Sequence, residues 1–272
     1  MRKKIDPTGS HSGMKTAYHL QVYEECWEHL ADKEIRLLEL GVDKGKSLLL
    51  WRDYFDKGRI VGLDMEAVQI DDPTGRIRVY VGYQQDVNLL SRIAQEEAAE
   101  GFDVIIDDGS HIAEPTRIAF WYLFVNHLKP GGIYAIEDIL TAFSDGWVDG
   151  KCYKAPRLPI QSKPSPVHIP VSLSYSLSRP VKALLPDTIV QSLIHSKRVE
   201  WLYGRLNSLT SPYRYSRRKL PSHMYGMIGF VKELVDICAR GDAIGGAKIQ
   251  KIEICLNQVI VIKAQQEVKI ST

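Results

Sequence analysis

The chain has 272 residues, 44% of them hydrophobic and 25% charged, with a formal net charge of +2. This is an ordinary globular composition, with material for one large domain or two small ones, and it argues against a disordered, collagenous or disulfide-stapled chain. Four cysteines (Cys26, Cys152, Cys238, Cys255) form no CxxC pair, and no apolar run is long enough for a signal peptide or a spanning helix, so a reducing, cytoplasmic location is expected.

Residues 16–30 place Tyr18, Val22, Trp27 and Leu30 near helical spacing and predict an amphipathic helix. IRLLELG (35–41) reads as a first strand, KSLLLWRDYF (46–55) as a helix, GRIVGLDM (58–65) and RIRVYVGY (76–83) as strands two and three. A helix over 87–99, strand four at FDVII, a helix over 114–128 with Pro115 in its first turn, a KPGG stop and strand five at IYAIED (133–138) follow. Strands and helices alternating at these lengths predict a mostly parallel sheet covered on both faces. FVKELVDICAR (230–240) is helical. KIQKIEICL and VIVIKA, separated by Asn257 and Gln258, then predict an antiparallel hairpin.

Between strand five and that last helix the composition changes. Residues 151–222 carry 13 Lys and Arg against 2 Asp and Glu, and 9 of the 13 prolines, so an insert of charge +11 sits on a body of charge −9. The expected division is an N-terminal cap segment and helix (1–34), a core (35–150), the basic Pro-rich insert or lid (151–222) and a C-terminal completion of the core (223–272).

Glycines in the loop ELGVDKGKS (39–47) allow a tight turn and close approach of a ligand to the amides at a helix start. The spacing GxxxG differs from the GxGxxG that accommodates a pyrophosphate, and Asp64 ends strand two where an acid accepts ribose hydroxyls, so a nucleoside without phosphates is favoured over a dinucleotide. Strand four runs into DDGSH (107–111) and strand five into Glu137 and Asp138. Asp-Gly-Ser is by itself a common turn. Carboxylates converging from neighbouring strand tips, however, repel one another unless a cation sits among them, and hard oxygen ligands suit Mg²⁺ or another divalent ion. A histidine just beyond them is placed to take a proton from a hydroxyl.

ELGVDKGKS, GLDM, GYQQDV, FDVIIDD and LKPGG, in that order and followed by the terminal hairpin, resemble class I S-adenosylmethionine-dependent methyltransferases. The resemblance implies a Rossmann-like α/β fold with a seven-stranded, mostly parallel sheet. It implies that Gly41 and Gly45 line the methionine portion of the cofactor with Glu39 nearby, that Asp64 holds the ribose, that Asp86 reaches the adenine, and that Asp107 lies near the amino-acid end. DDGSH together with LKPGGIYAIEDI is similar to metal-dependent sugar O-methyltransferases of the macrocin, mycinamicin and rhamnosyl type, themselves similar to the cephalosporin hydroxylase group. That likeness implies Asp108, Glu137 and Asp138 as magnesium ligands and His111 as the base. Similarity of DPTGSHSGMKTAYHLQVYE to a segment that closes over the cofactor adds Lys15, Tyr18 and Tyr23 as candidates.

Two departures from that pattern, ILTAFSDGW after Glu137-Asp138 and the size of the basic insert, fall where an acceptor would bind. The expected activity is S-adenosylmethionine- and Mg²⁺-dependent methylation of a sugar hydroxyl on a glycoside, glycolipid or polysaccharide. The insert favours an anionic or lipid-linked acceptor or peripheral membrane contact, with Trp147, Trp201 and Tyr203 available to stack on sugar rings. Nucleic acid is disfavoured as a partner, and the resemblance implies a homo-oligomer. The alternatives are methylation of a phenol or catechol, and a methyltransferase-like binding module without turnover.

Overall fold

The computed structural model describes residue 5 and residues 15–144, 146–151 and 225–265. In chain order these form α1 (Ala17–Trp27), β1 (Arg36–Leu40), α2 (Lys46–Tyr54), β2 (Arg59–Asp64), β3 (Ile77–Val81), α3 (Val87–Glu97), β4 (Phe102–Asp107), α4 (Ala113–Asn126), β5 (Leu128–Glu137), α5 (Val148–Lys151), α6 (Gly226–Arg240), β6 (Ala243–Ile244), β7 (Ala247–Cys255) and β8 (Gln258–Lys263). The chain divides into two compact units, Met1–Ala142 with Met224–Thr272, and Phe143–His223. In the second, Trp147 N–H donates to the Ser144 carbonyl just before α5. Beyond Lys151 the basic insert, with Trp201 and Tyr203, lies outside the described residues.

The first unit is built on one sheet of order β3-β2-β1-β4-β5-β8-β7-β6. Strands β1 to β5 pair in parallel, and β8 reverses against β5 and β7. Where seven strands were expected there are eight, the last being the two-residue β6, which folds back on the start of β7. One apolar layer packs Tyr23, Trp27, Trp51 and Phe55 on Leu37, Val104, Ile106 and Ile260; the other packs Leu90, Ile93, Phe120, Phe124 and Phe230 on Leu40, Ile105, Tyr134 and Val261. With both faces covered, the central strands are almost wholly buried, and burying each large apolar side chain contributes roughly 1.5–3 kcal/mol.

Two boundaries differ from the sequence reading. β5 begins at Leu128, because Leu128 pairs with Phe102 ahead of a register shift that accommodates Pro130 within the strand. The β7–β8 turn is Leu256–Asn257 rather than Asn257–Gln258: Gln258 already pairs with Cys255 and Glu137, and Asn257 takes the left-handed conformation at φ 62°.

Candidate active site

The carboxyl ends of β1, β4 and β5 share one edge of the sheet, the edge at which ligands bind in open α/β folds. After β1 the chain turns at Gly41 (φ 85°), whose N–H donates to the Leu63 carbonyl. A Cβ at Gly41 would lie 2.1 Å from the Asp108 carbonyl oxygen, so the β1 and β4 loops touch there only because position 41 has no side chain. Gly45 (φ 76°) starts α2, and a side chain there would run into Ile70. Asp64 accepts from the backbone amides of Val42 and Asp43 through Oδ2 and of Glu66 through Oδ1, which fixes the β1 loop against the end of β2. Asp86 caps α3, accepting from the N–H groups of Asn88 and Leu89. Gly109 packs against Gln84, whose Nε2 donates to Asp107 and whose Oε1 accepts from Ser110 N–H at 2.6 Å. Asp107 is buried, also accepts from Tyr134 OH, and burial pushes its carboxyl up to about 7.

Glu39 is the one acidic residue of β1 and is wholly buried. Its cation is Lys15, whose Nζ lies 3.6 Å from Glu39 Oε1, 3.0 Å from Asp108 Oδ2 and 2.5 Å from Glu137 Oε1. Tyr23 OH also donates to Glu137. Burial alone would lower the Lys15 ammonium, but the charges of Asp108, Glu137 and Glu39 outweigh it and hold its pKa well above the usual value. Burial pushes Glu39 up to about 7 and, with the charge of Glu137, raises Asp108; Glu137 is held below its ordinary value because Lys15 and Tyr23 outweigh its own burial. The cation inferred from converging carboxylates is thus met in part by the protein's own ammonium.

Beside this group, Asp108, His111 and Asp138 each present a ligand atom, all within 4.8 Å of one another. His111 Nε2 is 3.5 Å from Asp138 Oδ2. Burial lowers the His111 pKa against the raising pull of Asp138 and Glu137, leaving a largely neutral imidazole near pH 7. His111 (φ 53°) and Asp138 (φ 57°) both occupy the left-handed region, which is uncommon for such residues and clusters at functional sites. Of the expected metal ligands, then, Asp108 and Asp138 join this cluster with His111, whereas Glu137 faces Lys15 and Tyr23. Tyr18 is 46% exposed, bonds to Cys255, and takes no part in the bonds that hold the acidic group.

No protein-family model matches the chain. The mycinamycin-pathway methyltransferase MycE, solved with Mg and SAH, superposes with a TM-score of 0.58 at 24% identity, over 94% of this chain and 52% of that one. The fold is that of a class I methyltransferase. This methyltransferase fold is accompanied by sequence similarity to sugar O-methyltransferases, which bears out the resemblance drawn from the motifs. The chain is 39% identical over 133 residues to mycinamicin VI 2''-O-methyltransferase of Micromonospora griseorubida, covering 46% of this chain and 32% of the relative. It is 38% identical over 132 residues to demethylmacrocin O-methyltransferase of Streptomyces fradiae, covering 46% and 32%. It is 39% identical over 133 residues to a tetracenomycin-C rhamnosyl 3'-O-methyltransferase of Streptomyces olivaceus, covering 46% and 33%. The matched stretch spans about a third of the length of these curated relatives.

The residues present suit both the nucleoside and the divalent ion that the motif resemblance implies. Gly41 and Gly45 let the β1 loop turn tightly against Asp108 and Ile70, and the buried Glu39 carboxylate lies near the end of the same strand with Lys15 Nζ at 3.6 Å. Asp108 and Asp138 bring two hard carboxylate donors within reach of one point, which suits a divalent ion, with the His111 imidazole beside them.

Proposed function

We propose that this chain is an S-adenosylmethionine- and Mg²⁺-dependent O-methyltransferase that acts on a sugar hydroxyl of a glycosylated acceptor. The observation that carries the reading is the clustering of Asp108, His111 and Asp138 within 4.8 Å at the strand edge that also carries the Gly41 loop. S-adenosylmethionine supplies the methyl group, and a divalent cation supplies Lewis acidity toward the acceptor hydroxyl. Gly41 and Gly45 admit the methionine end of the nucleoside to the β1 loop, Glu39 lies under it, and Asp64, Asp86 and Asp107 serve the ribose, the adenine and the amino-acid end. Asp108 and Asp138 are the metal carboxylates, and Glu137 is the third carboxylate of the set, sharing Lys15 with Asp108. His111 Nε2, neutral at working pH, accepts the hydroxyl proton, and Asp138 Oδ2 at 3.5 Å holds the imidazolium that results.

The +11 charge of residues 151–222 supports an anionic or lipid-linked acceptor and contact with a membrane surface. The free cysteines Cys26, Cys238 and Cys255 suit a reducing cytoplasm, and homo-oligomerisation rests on the family likeness alone.

The test is calorimetric titration of S-adenosylhomocysteine and Mg²⁺ into the wild type and Asp108→Ala. The nucleoside should bind both proteins, and Mg²⁺ only the wild type. Absence of Mg²⁺ binding to the wild type, with nucleoside present, refutes the metal-dependent reading.

A further inference from the structure

His111 and Asp138 reach the cluster through strained backbone, and each is held from outside it. The Thr141 hydroxyl lies 3.0 Å from the His111 carbonyl oxygen and 2.8 Å from that of Asp138. A hydroxyl has one proton, so this is a shared bond that ties the two left-handed residues to a single point. Thr141 N–H donates to the same Asp138 carbonyl. The Asp138 side chain is fixed separately: Asn257 Nδ2 donates to its Oδ1, which leaves Oδ2 facing His111. The other end of that carboxamide, Asn257 Oδ1, accepts from Leu140 N–H at 2.9 Å. Asn257 is therefore held at both ends between the β7–β8 turn and the segment after β5, and its own φ of 62° aims it there.

Resting on the reading of this cluster as a divalent-cation site, we infer that Asn257 and Thr141 are its positioning residues: Asn257 orients the Asp138 carboxylate, and Thr141 locks the backbone of His111 and Asp138. Neither needs to touch the cation. Each acts through a ligand, as outer partners do at metal centres, where their loss lowers affinity by about 10–100-fold. ILTAF, the first part of the stretch that departs from the family pattern, contributes Thr141, and the hairpin turn contributes Asn257, 119 residues beyond Asp138.

Mn²⁺ is the probe, followed by the loss of its free-ion paramagnetic resonance signal, with S-adenosylhomocysteine affinity and melting midpoint measured on the same samples. Asn257→Gly keeps the left-handed turn and removes only the carboxamide. Thr141→Val keeps the shape and removes the hydroxyl, and Thr141→Ser returns it. Asn257→Gly and Thr141→Val should weaken Mn²⁺ binding at least tenfold with nucleoside affinity unchanged, and Thr141→Ser should restore it. If wild type and variants bind Mn²⁺ alike, or if nucleoside affinity and midpoint fall in step with Mn²⁺ affinity, the positioning role is overturned. If the wild type binds no Mn²⁺, the cation reading itself fails, and this inference with it.

Discussion

Lys15→Met keeps an unbranched apolar stem one heavy atom shorter and removes the charge from among Glu39, Asp108 and Glu137. With Nζ 3.0 Å from Asp108 and 2.5 Å from Glu137, each of these pairs has a gross attraction of about 6 kcal/mol at an effective dielectric near 20. Desolvation offsets much of that, and removing one partner of a buried pair has a net cost of about 3–5 kcal/mol. In a domain of this size each kcal/mol moves the melting midpoint by about 2–4 °C, so a fall of roughly 6–20 °C is expected at pH 8. The effect has a definite pH sign. Carboxylates left without their ammonium have folded pKa values raised above the unfolded ones. The variant is therefore most stable below the ordinary carboxylate range and loses stability as pH rises through the raised values. Even beside Lys15, Glu39 is pushed up to about 7. The deficit relative to wild type should be small at pH 5 and widen to pH 8, and millimolar Mg²⁺ should narrow it by replacing the missing charge. Melts monitored by circular dichroism from pH 5 to 8, with and without Mg²⁺, decide the matter. A variant midpoint within about 2 °C of wild type at pH 8 refutes the assignment of Lys15 as the internal counter-ion.

Three further substitutions probe other parts of the site. Gly41→Ala puts a Cβ 2.1 Å from the Asp108 carbonyl at a φ of 85°, and should cut S-adenosylhomocysteine affinity at least tenfold by calorimetry; unchanged affinity refutes the close approach of the two loops. His111→Gln should lower the methyl-transfer rate constant by about 10²–10⁴-fold with nucleoside affinity intact, and a smaller loss removes His111 as the base. Asp107, raised to about 7, destabilises the wild type increasingly as pH rises from about 4 to about 7 and evenly above that; the stability of Asp107→Asn relative to wild type should grow over that window and then level off, and a pH-independent difference refutes the buried protonated carboxyl.

The parallel strands were legible because each is a short apolar run closed by glycine or acid, and the strand edge followed from chain order alone. That order predicts Asp108, His111 and Asp138 at one edge, and the structure brings them within 4.8 Å of one another, since tips of neighbouring strands are adjacent whatever the side chains do. What chain order could not supply is which way a carboxylate turns. Glu137 and Asp138 are consecutive at the end of one strand, so their side chains diverge: Glu137 turns to Lys15 and Tyr23, and Asp138, past the strand and at a positive φ, turns to His111. Asn257 was read only as turn residue, because an asparagine in a two-residue connection is fully explained by its φ. Its second role depends on β8 lying beside β5, where Gln258 pairs with Glu137 and sets the turn directly against Asp138. Gln84 is similar: inside GYQQDV it looks like loop, and only the sheet order brings its carboxamide between Asp107 and Ser110. The residues that carry chemistry are thus visible as types at strand ends, whereas those that hold them in place are ordinary loop amides and hydroxyls whose partners exist only after the sheet has formed.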